Sequence, residues 1–158
     1  MKKFTTIIAI TLLAALLFTG CDLIPLKKDF SDYGFTFTIA GEVTEKEGNE
    51  FGSATLYTKI GTLEFSTAAS INIPVLGEIS WETYIAKECP NKTTLENGGR
   101  LYVGEAKDNG SGILVVESHY FVENGDTTWH ITSTTPKNDF DQDALERVLE
   151  SIKFVTAE

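Results

Sequence analysis

Between Arg100 and Pro136 the chain reads RLYVGEAKDNGSGILVVESHYFVENGDTTWHITSTTP, and this stretch decides the fold. Three runs rich in β-branched and aromatic residues, about 100–107, 113–122 and 127–134, are divided by Asn109-Gly110 and Asn124-Gly125. Asn-Gly between apolar runs is a strong hairpin signal, because a tight hairpin turn needs positive φ at its central residues. The pattern predicts a three-strand antiparallel meander. A two-residue Asn124-Gly125 turn sets His119 directly opposite His130. The Asn109-Gly110 turn likewise sets Arg100 beside His119 and Tyr102 beside Glu117. Alternation then puts Leu101, Val103, Leu114, Val116, Tyr120, Val122, Trp129 and Ile131 on a core face. The other face carries Arg100, Tyr102, Glu117, His119, Phe121, Thr128, His130 and Thr132.

Working outward, Phe35, Phe37 and Ile39 alternate with Thr36 and Thr38, a half-buried strand. Gly41 to Asn49 is polar, a loop or frayed hairpin, and Ser53–Ile60 and Thr62–Ile73 read as two further strands. A turn at Ile60-Gly61 sets Leu56 opposite Phe65 and Thr58 opposite Leu63. After a break at Pro74–Gly77 a helix follows, with Ser80 as N-cap and Ile79 and Tyr84 spaced as a hydrophobic staple. Trp81, Ile85 and Cys89 form one stripe, and Pro90 stops the helix. Beyond Pro136, Asp139 is the expected N-cap of a second helix, with Gln142 as its capping-box partner. Its apolar stripe is Phe140, Ala144, Leu145, Val148, Leu149 and Ile152. The expected class is α+β, an antiparallel sheet flanked by helices.

The chain has 158 residues, 42% apolar and 23% charged, the size and composition of one ordinary domain. Thirteen basic residues against 23 acidic ones give −10. That balance speaks against a nucleic-acid binder and against electrostatic adsorption of the whole body on anionic lipid. Two cysteines and two histidines exclude a disulfide framework or a Cys-rich metal site.

The N-terminus reads as an address. Met1-Lys2-Lys3 precedes an apolar run from Ile7 to Phe18 interrupted by Thr11, too short to span a membrane and of signal-peptide length. Leu17-Phe18-Thr19-Gly20-Cys21 resembles the bacterial lipobox, departing at Phe18. The resemblance implies cleavage after residue 20, a diacylglyceryl group on Cys21, and attachment to the outer face of the cytoplasmic membrane. That face is the periplasmic side in a Gram-negative cell, where Asp22 resembles a signal for inner-membrane retention. The plainer alternative is a secretory signal followed by a chance cysteine. Two or three acyl chains make a stable anchor. Loss of Lys2 and Lys3 leaves 11 bases against 23 acids, or −12. The division expected is a signal peptide at 1–20, a lipidated tether at 21–32 with Lys27-Lys28 near the headgroups, and a domain at 33–158. Cys89 is either a buried small hydrophobe or a reactive thiol.

From Arg100 onward the chain resembles the PsbP-like family, which includes the extrinsic photosystem II subunit and many small bacterial lipoproteins. The resemblance rests on Tyr120-Phe121-Val122-Glu123-Asn124-Gly125, on Trp129-His130-Ile131-Thr132 through Pro136, and on the closing Leu149-Glu150-Ser151-Ile152-Lys153-Phe154. After the first strand the chain departs, reading Ala40-Gly41-Glu42. The resemblance implies an antiparallel α/β sandwich that binds protein partners, with no shared catalytic residues and no cofactor.

Several chemistries can be weighed on residues alone. Facing His119 and His130, with Glu117 nearby, could hold a transition metal, and Arg100 and Tyr102 could bind a small ligand on the same face. Against this stands a solvated or partly helix-covered polar face, with no clear third ligand and with Arg100 repelling a cation. Asp139, Asp141, Asp143 and Glu150 match EF-hand spacing, but Ala144 occupies the position that needs glycine. Ser111 lies in a hairpin turn rather than a nucleophile elbow. The expectation is a non-enzymatic, membrane-anchored module binding an envelope protein; the alternative is a small-ligand or metal carrier using the His119/His130 face. Tyr102 and Phe121 are the aromatics expected to be exposed for a partner.

Overall fold

The computed structural model describes residues 24–155 apart from 68–69, 74–76 and 90. The signal peptide, Cys21, the Pro74 break and the Pro90 helix stop lie outside the described residues. Leu26–Phe30, expected within the tether, is instead the first strand, β1. It pairs antiparallel with β2 (Phe35–Ile39), Leu26 opposite Ile39 and Phe30 opposite Phe35. The folded body therefore starts at Leu26, not Tyr33. Phe30 supplies the reason, since it is buried and stacks 5.5 Å from Phe37, centroid to centroid. Lys27 and Lys28 had masked a strand that is held by its last residue.

The remaining elements follow in order: β3 (Val43–Glu45), β4 (Ser53–Thr58), β5 (Gly61–Ser66), β6 (Ser70–Ile73), β7 (Gly77–Ser80), α1 (Trp81–Glu88), β8 (Lys92–Thr94), β9 (Arg100–Val103), β10 (Lys107–Asp108), β11 (Leu114–Asn124), β12 (Thr127–Pro136), α2 (Gln142–Glu150) and β13 (Lys153–Phe154). The main sheet runs β3-β4-β5-β12-β11-β9-β8, with β10 added along β11. A smaller sheet runs β1-β2-β13, and β6 and β7 pair by themselves. Among the described residues every strand pairing is antiparallel. The α+β class expected from the sequence is the class observed.

The predicted registers are each displaced by two residues. Tyr120 faces Ile131, Phe121 faces His130, and His119 faces Thr132, because the loop of the β11–β12 hairpin is Gly125-Asp126. Tight hairpin turns put positive φ at the first loop residue, and Gly125, at φ +61°, takes that place. In the β4–β5 hairpin Leu56 faces Leu63 and Ala54 faces Phe65, so the loop is Lys59-Ile60. Gly61 belongs to the strand for a steric reason. A Cβ there would lie 2.3 Å from Thr135 Oγ1 and 2.5 Å from the Thr134 carbonyl oxygen. A two-residue slip keeps every side chain on its own face, so the sheet faces survive the error.

Between β9 and β11, Tyr102 faces His119 and Arg100 faces Phe121. Three residues, 104–106, then oppose two, 116–117, before Lys107 faces Val115. This is a bulge, entered by the bond from Gly104 N–H to the Glu117 carbonyl at 2.9 Å. The β10–β11 connection is also longer than the expected two-residue turn, since the Asn109 N–H bonds the Ile113 carbonyl at 3.0 Å.

The core lies on one face of the main sheet. There Leu56, Leu63, Phe65, Leu101, Tyr120 and Ile131 meet the inner face of the small sheet and the stripe Leu145, Val148, Leu149 and Ile152 of α2. Phe35 stacks on Phe65 at 3.8 Å and meets Trp129 edge-on at 5.9 Å. Leu114, expected in this core, is 46% exposed because it lies at the hairpin end beyond the covering layer. The N-cap of α2 is Asp141, whose carboxylate accepts from the Ala144 N–H at 3.0 Å. The expected cap, Asp139, lies in a single 3-10 turn at Lys137–Asp139. Phe140, at the junction, packs against the core and sets the later start.

Candidate functional site

The opposite face of the main sheet is covered by α1. Ser80 caps this helix as expected, accepting from the Thr83 N–H at 3.1 Å. The predicted stripe points inward: Ile85 and Cys89 are buried with Tyr102 and Phe121, and Trp81 and Tyr84 pack on their margin. Tyr102 and Phe121, expected as exposed aromatics, are 4% and 1% exposed. Their burial follows from the helix, whose position no residue spacing encodes.

Under α1 the two histidines come together as diagonal rather than facing neighbours. His119 Nδ1 and His130 Nε2 are 3.1 Å apart, and the rings are 5.3 Å centroid to centroid. His130 also stacks on Phe121 at 4.4 Å and meets Trp81 at 5.7 Å. Glu117 Oε1 stands 3.4 Å from His119 Nε2. That carboxylate favours a proton on His119 Nε2, so His119 Nδ1 accepts and His130 Nε2–H donates. Burial pushes the His130 pKa down to about 4, helped by His119. Burial lowers His119 as well, against an upward pull from Glu117. Both rings are therefore neutral at pH 7, and the hydrogen bond runs from the N–H of one to the bare nitrogen of the other.

The structure brings Arg100 and Tyr102 to this face but directs both to Glu82, on the first turn of α1. Arg100 Nε donates to Glu82 Oε1 at 2.6 Å and an Arg100 terminal nitrogen donates to Oε2 at 2.8 Å. The Tyr102 hydroxyl donates to the same Oε1 at 2.8 Å. The Arg100 bond holds the Glu82 carboxyl below its ordinary range, and the reciprocal bond raises Arg100. Burial and then Glu82 push Tyr102 up to about 12. This clamp pins the helix to the sheet. Glu82 was missed in the sequence because an acid in a first helical turn already suits the helix dipole.

A cavity of about 240 Å³ opens beside His119, walled by Trp81, Tyr84, Cys89 and Glu117. A smaller one, about 140 Å³, lies on the His130 side with Glu82 and Arg100. Cys89 is a buried free thiol whose pKa burial raises, which makes it the small hydrophobe rather than the reactive thiol. Among the described residues no group of three or more His, Cys, Asp or Glu side chains is placed to hold a metal ion. Of the expected trio, His119 and His130 hydrogen-bond each other, and the Glu117 carboxylate stands 3.4 Å from the far nitrogen of His119. Asp141 of the EF-hand spacing serves as a helix cap.

Fold and site together define an antiparallel α+β domain in which a short helix closes over a neutral histidine pair. A solved structure from Bacteroides thetaiotaomicron shares the fold, with a TM-score of 0.52 and 15% identity over 77% of this chain. The match spans 45% of that protein's length, so this chain corresponds to less than half of it. No family model and no curated protein matches the chain. Among the described residues no helix is long and apolar enough to cross a membrane.

Proposed function

We propose that this is a lipid-anchored bacterial envelope protein whose folded domain is a non-enzymatic module docking on another envelope protein. The observation that carries the reading is the tip of the β10–β11 hairpin. Ile113 and Leu114, consecutive in the chain, are 52% and 46% exposed there. The loop that presents them is internally braced. Asp108 Oδ1 accepts from the Gly110 and Gly112 N–H groups at 2.7 and 3.0 Å, and Asn109 Oδ1 accepts from Ser111 N–H at 3.0 Å. A braced loop offers apolar side chains with little ordering entropy to lose on docking. The PsbP-like resemblance, carried by the closing phrase Leu149–Phe154, implies partner binding and supports the same reading.

The test is site-specific photocrosslinking in cells, with benzoylphenylalanine at position 113 or, as a control, at the exposed Asp126 of the other hairpin. The reading expects one adduct of defined mass from position 113 and none from 126. Equal adducts from both sites, or none from 113, would reject it. The cavity beside His119 favours a second reading, a small-ligand or metal carrier. A Zn²⁺-dependent rise in melting temperature that His119→Ala abolishes would support that reading, and no rise would remove its metal form.

A further inference from the structure

A third cavity, about 470 Å³, lies at the end of the domain where the chain enters. Pro25, Ile39, Ile60 and Val148 give it apolar walls, and Lys59, Arg147 and Asp141 also line it. Two cations, Lys59 and Arg147, stand against one acid, Asp141, in this lining, on a chain of net charge −10. Ile24 and Leu26, 61% and 55% exposed, flank the entry.

Cys21 is four residues before Pro25, a reach of at most about 14 Å even when fully extended. An anchor on Cys21 would therefore hold this end, and no other, against the membrane. Charges beyond about 8 Å are screened at physiological salt, so the distant acids of the body do not govern what meets the cavity mouth. The acidity that disfavours adsorption of the whole domain leaves this local contact intact.

We propose that the cavity between β2, the β4–β5 turn and α2 takes an acyl chain of an anionic membrane phospholipid, with its phosphate held between Lys59 and Arg147. The proposal rests on the lipid-anchor reading. The occupant is a bilayer phospholipid rather than the chain's own acyl group, because stable anchoring needs two or more chains kept in the bilayer. Withdrawing one into the protein would loosen the attachment, and it would bring no free phosphate to the cations.

The test uses the full lipidated protein in nanodiscs containing phosphatidylglycerol with a diazirine in one acyl chain. After irradiation, adducts are mapped by peptide mass. The proposal expects labelling concentrated around Ile39, Ile60 and Val148, and absent from the hairpin tip at 109–114. It expects at least a fivefold lower yield from the matching phosphatidylcholine probe. The double variant Lys59→Glu/Arg147→Glu should lose labelling by a similar factor. Ala144→Phe, which fills the cavity from α2 while keeping those charges, should abolish it, with melting temperatures reported for both. Labelling spread evenly over the surface, or unchanged in the variants, would overturn the proposal. Intact mass separates the two layers. An acylated Cys21 with no cavity labelling sinks the phospholipid site alone, whereas an unacylated Cys21 sinks the anchor reading and this inference with it.

Discussion

His119 and His130 share one hydrogen bond in a buried site, and that makes their protonation a stability question. His130 titrates at about 4 in the folded chain and near 6.5 when unfolded, so between those values the unfolded state binds the extra proton. Stability is thus fully present above pH 6.5 and is lost as pH falls toward 4. His130 alone should cost about 2 kcal/mol between pH 7.5 and pH 5. Urea titrations at those two pH values should show the loss, and His130→Phe should flatten the difference. Equal wild-type stabilities would refute it. Glu82 supports the neighbouring clamp, and Glu82→Ala leaves the Tyr102 hydroxyl without its acceptor and the Arg100 guanidinium with only the exposed Glu123 at 3.4 Å. A loss of about 1–3 kcal/mol is expected by denaturant unfolding. The polar residues of this face were legible in the sequence by alternation. Their partners were not, because Glu82 reaches them only once α1 lies across the sheet.

At the scale of elements, the strands were readable because alternation and turn residues act locally. The hairpin loops were misplaced by one residue each, and the resulting two-residue slip preserved the faces. In the β4–β5 hairpin what decided between the registers was contact with a third strand: Gly61 is needed where β12 passes closest, not at the centre of the turn. The helix caps separate in the same way. Ser80 behaves as its local sequence says, but Asp141 rather than Asp139 caps α2, since Phe140 must reach the core before the helix begins. Asp141→Ala should therefore cost about 1 kcal/mol, and Asp139→Ala no more than a few tenths. Thermal melts of the two variants check this directly, and the reverse order would restore the sequence-based cap.

On the scale of the whole molecule, the main sheet is covered on both sides, by the small sheet and α2 on one face and by α1 on the other. The small sheet is assembled from the two ends of the described chain, β1 and β13 flanking β2. Phe30 ties its first strand to the core, so Phe30→Ala should cost about 3 kcal/mol in urea unfolding, where a residue in a tether would cost nothing. A null effect would return residues 26–30 to the tether. Legible in the amino-acid order alone were the class, the strands of the meander, the two helices and the sheet face of most side chains in the meander. These follow from periodicity and turn chemistry within a dozen residues. The β4–β5 register, the first strand, the cap of α2, and the bonding partners of the polar groups under α1 came only with the assembled layers. Each of these depends on the closest approach of segments far apart in the chain, and the burial that settles it exists only when the layers are in place.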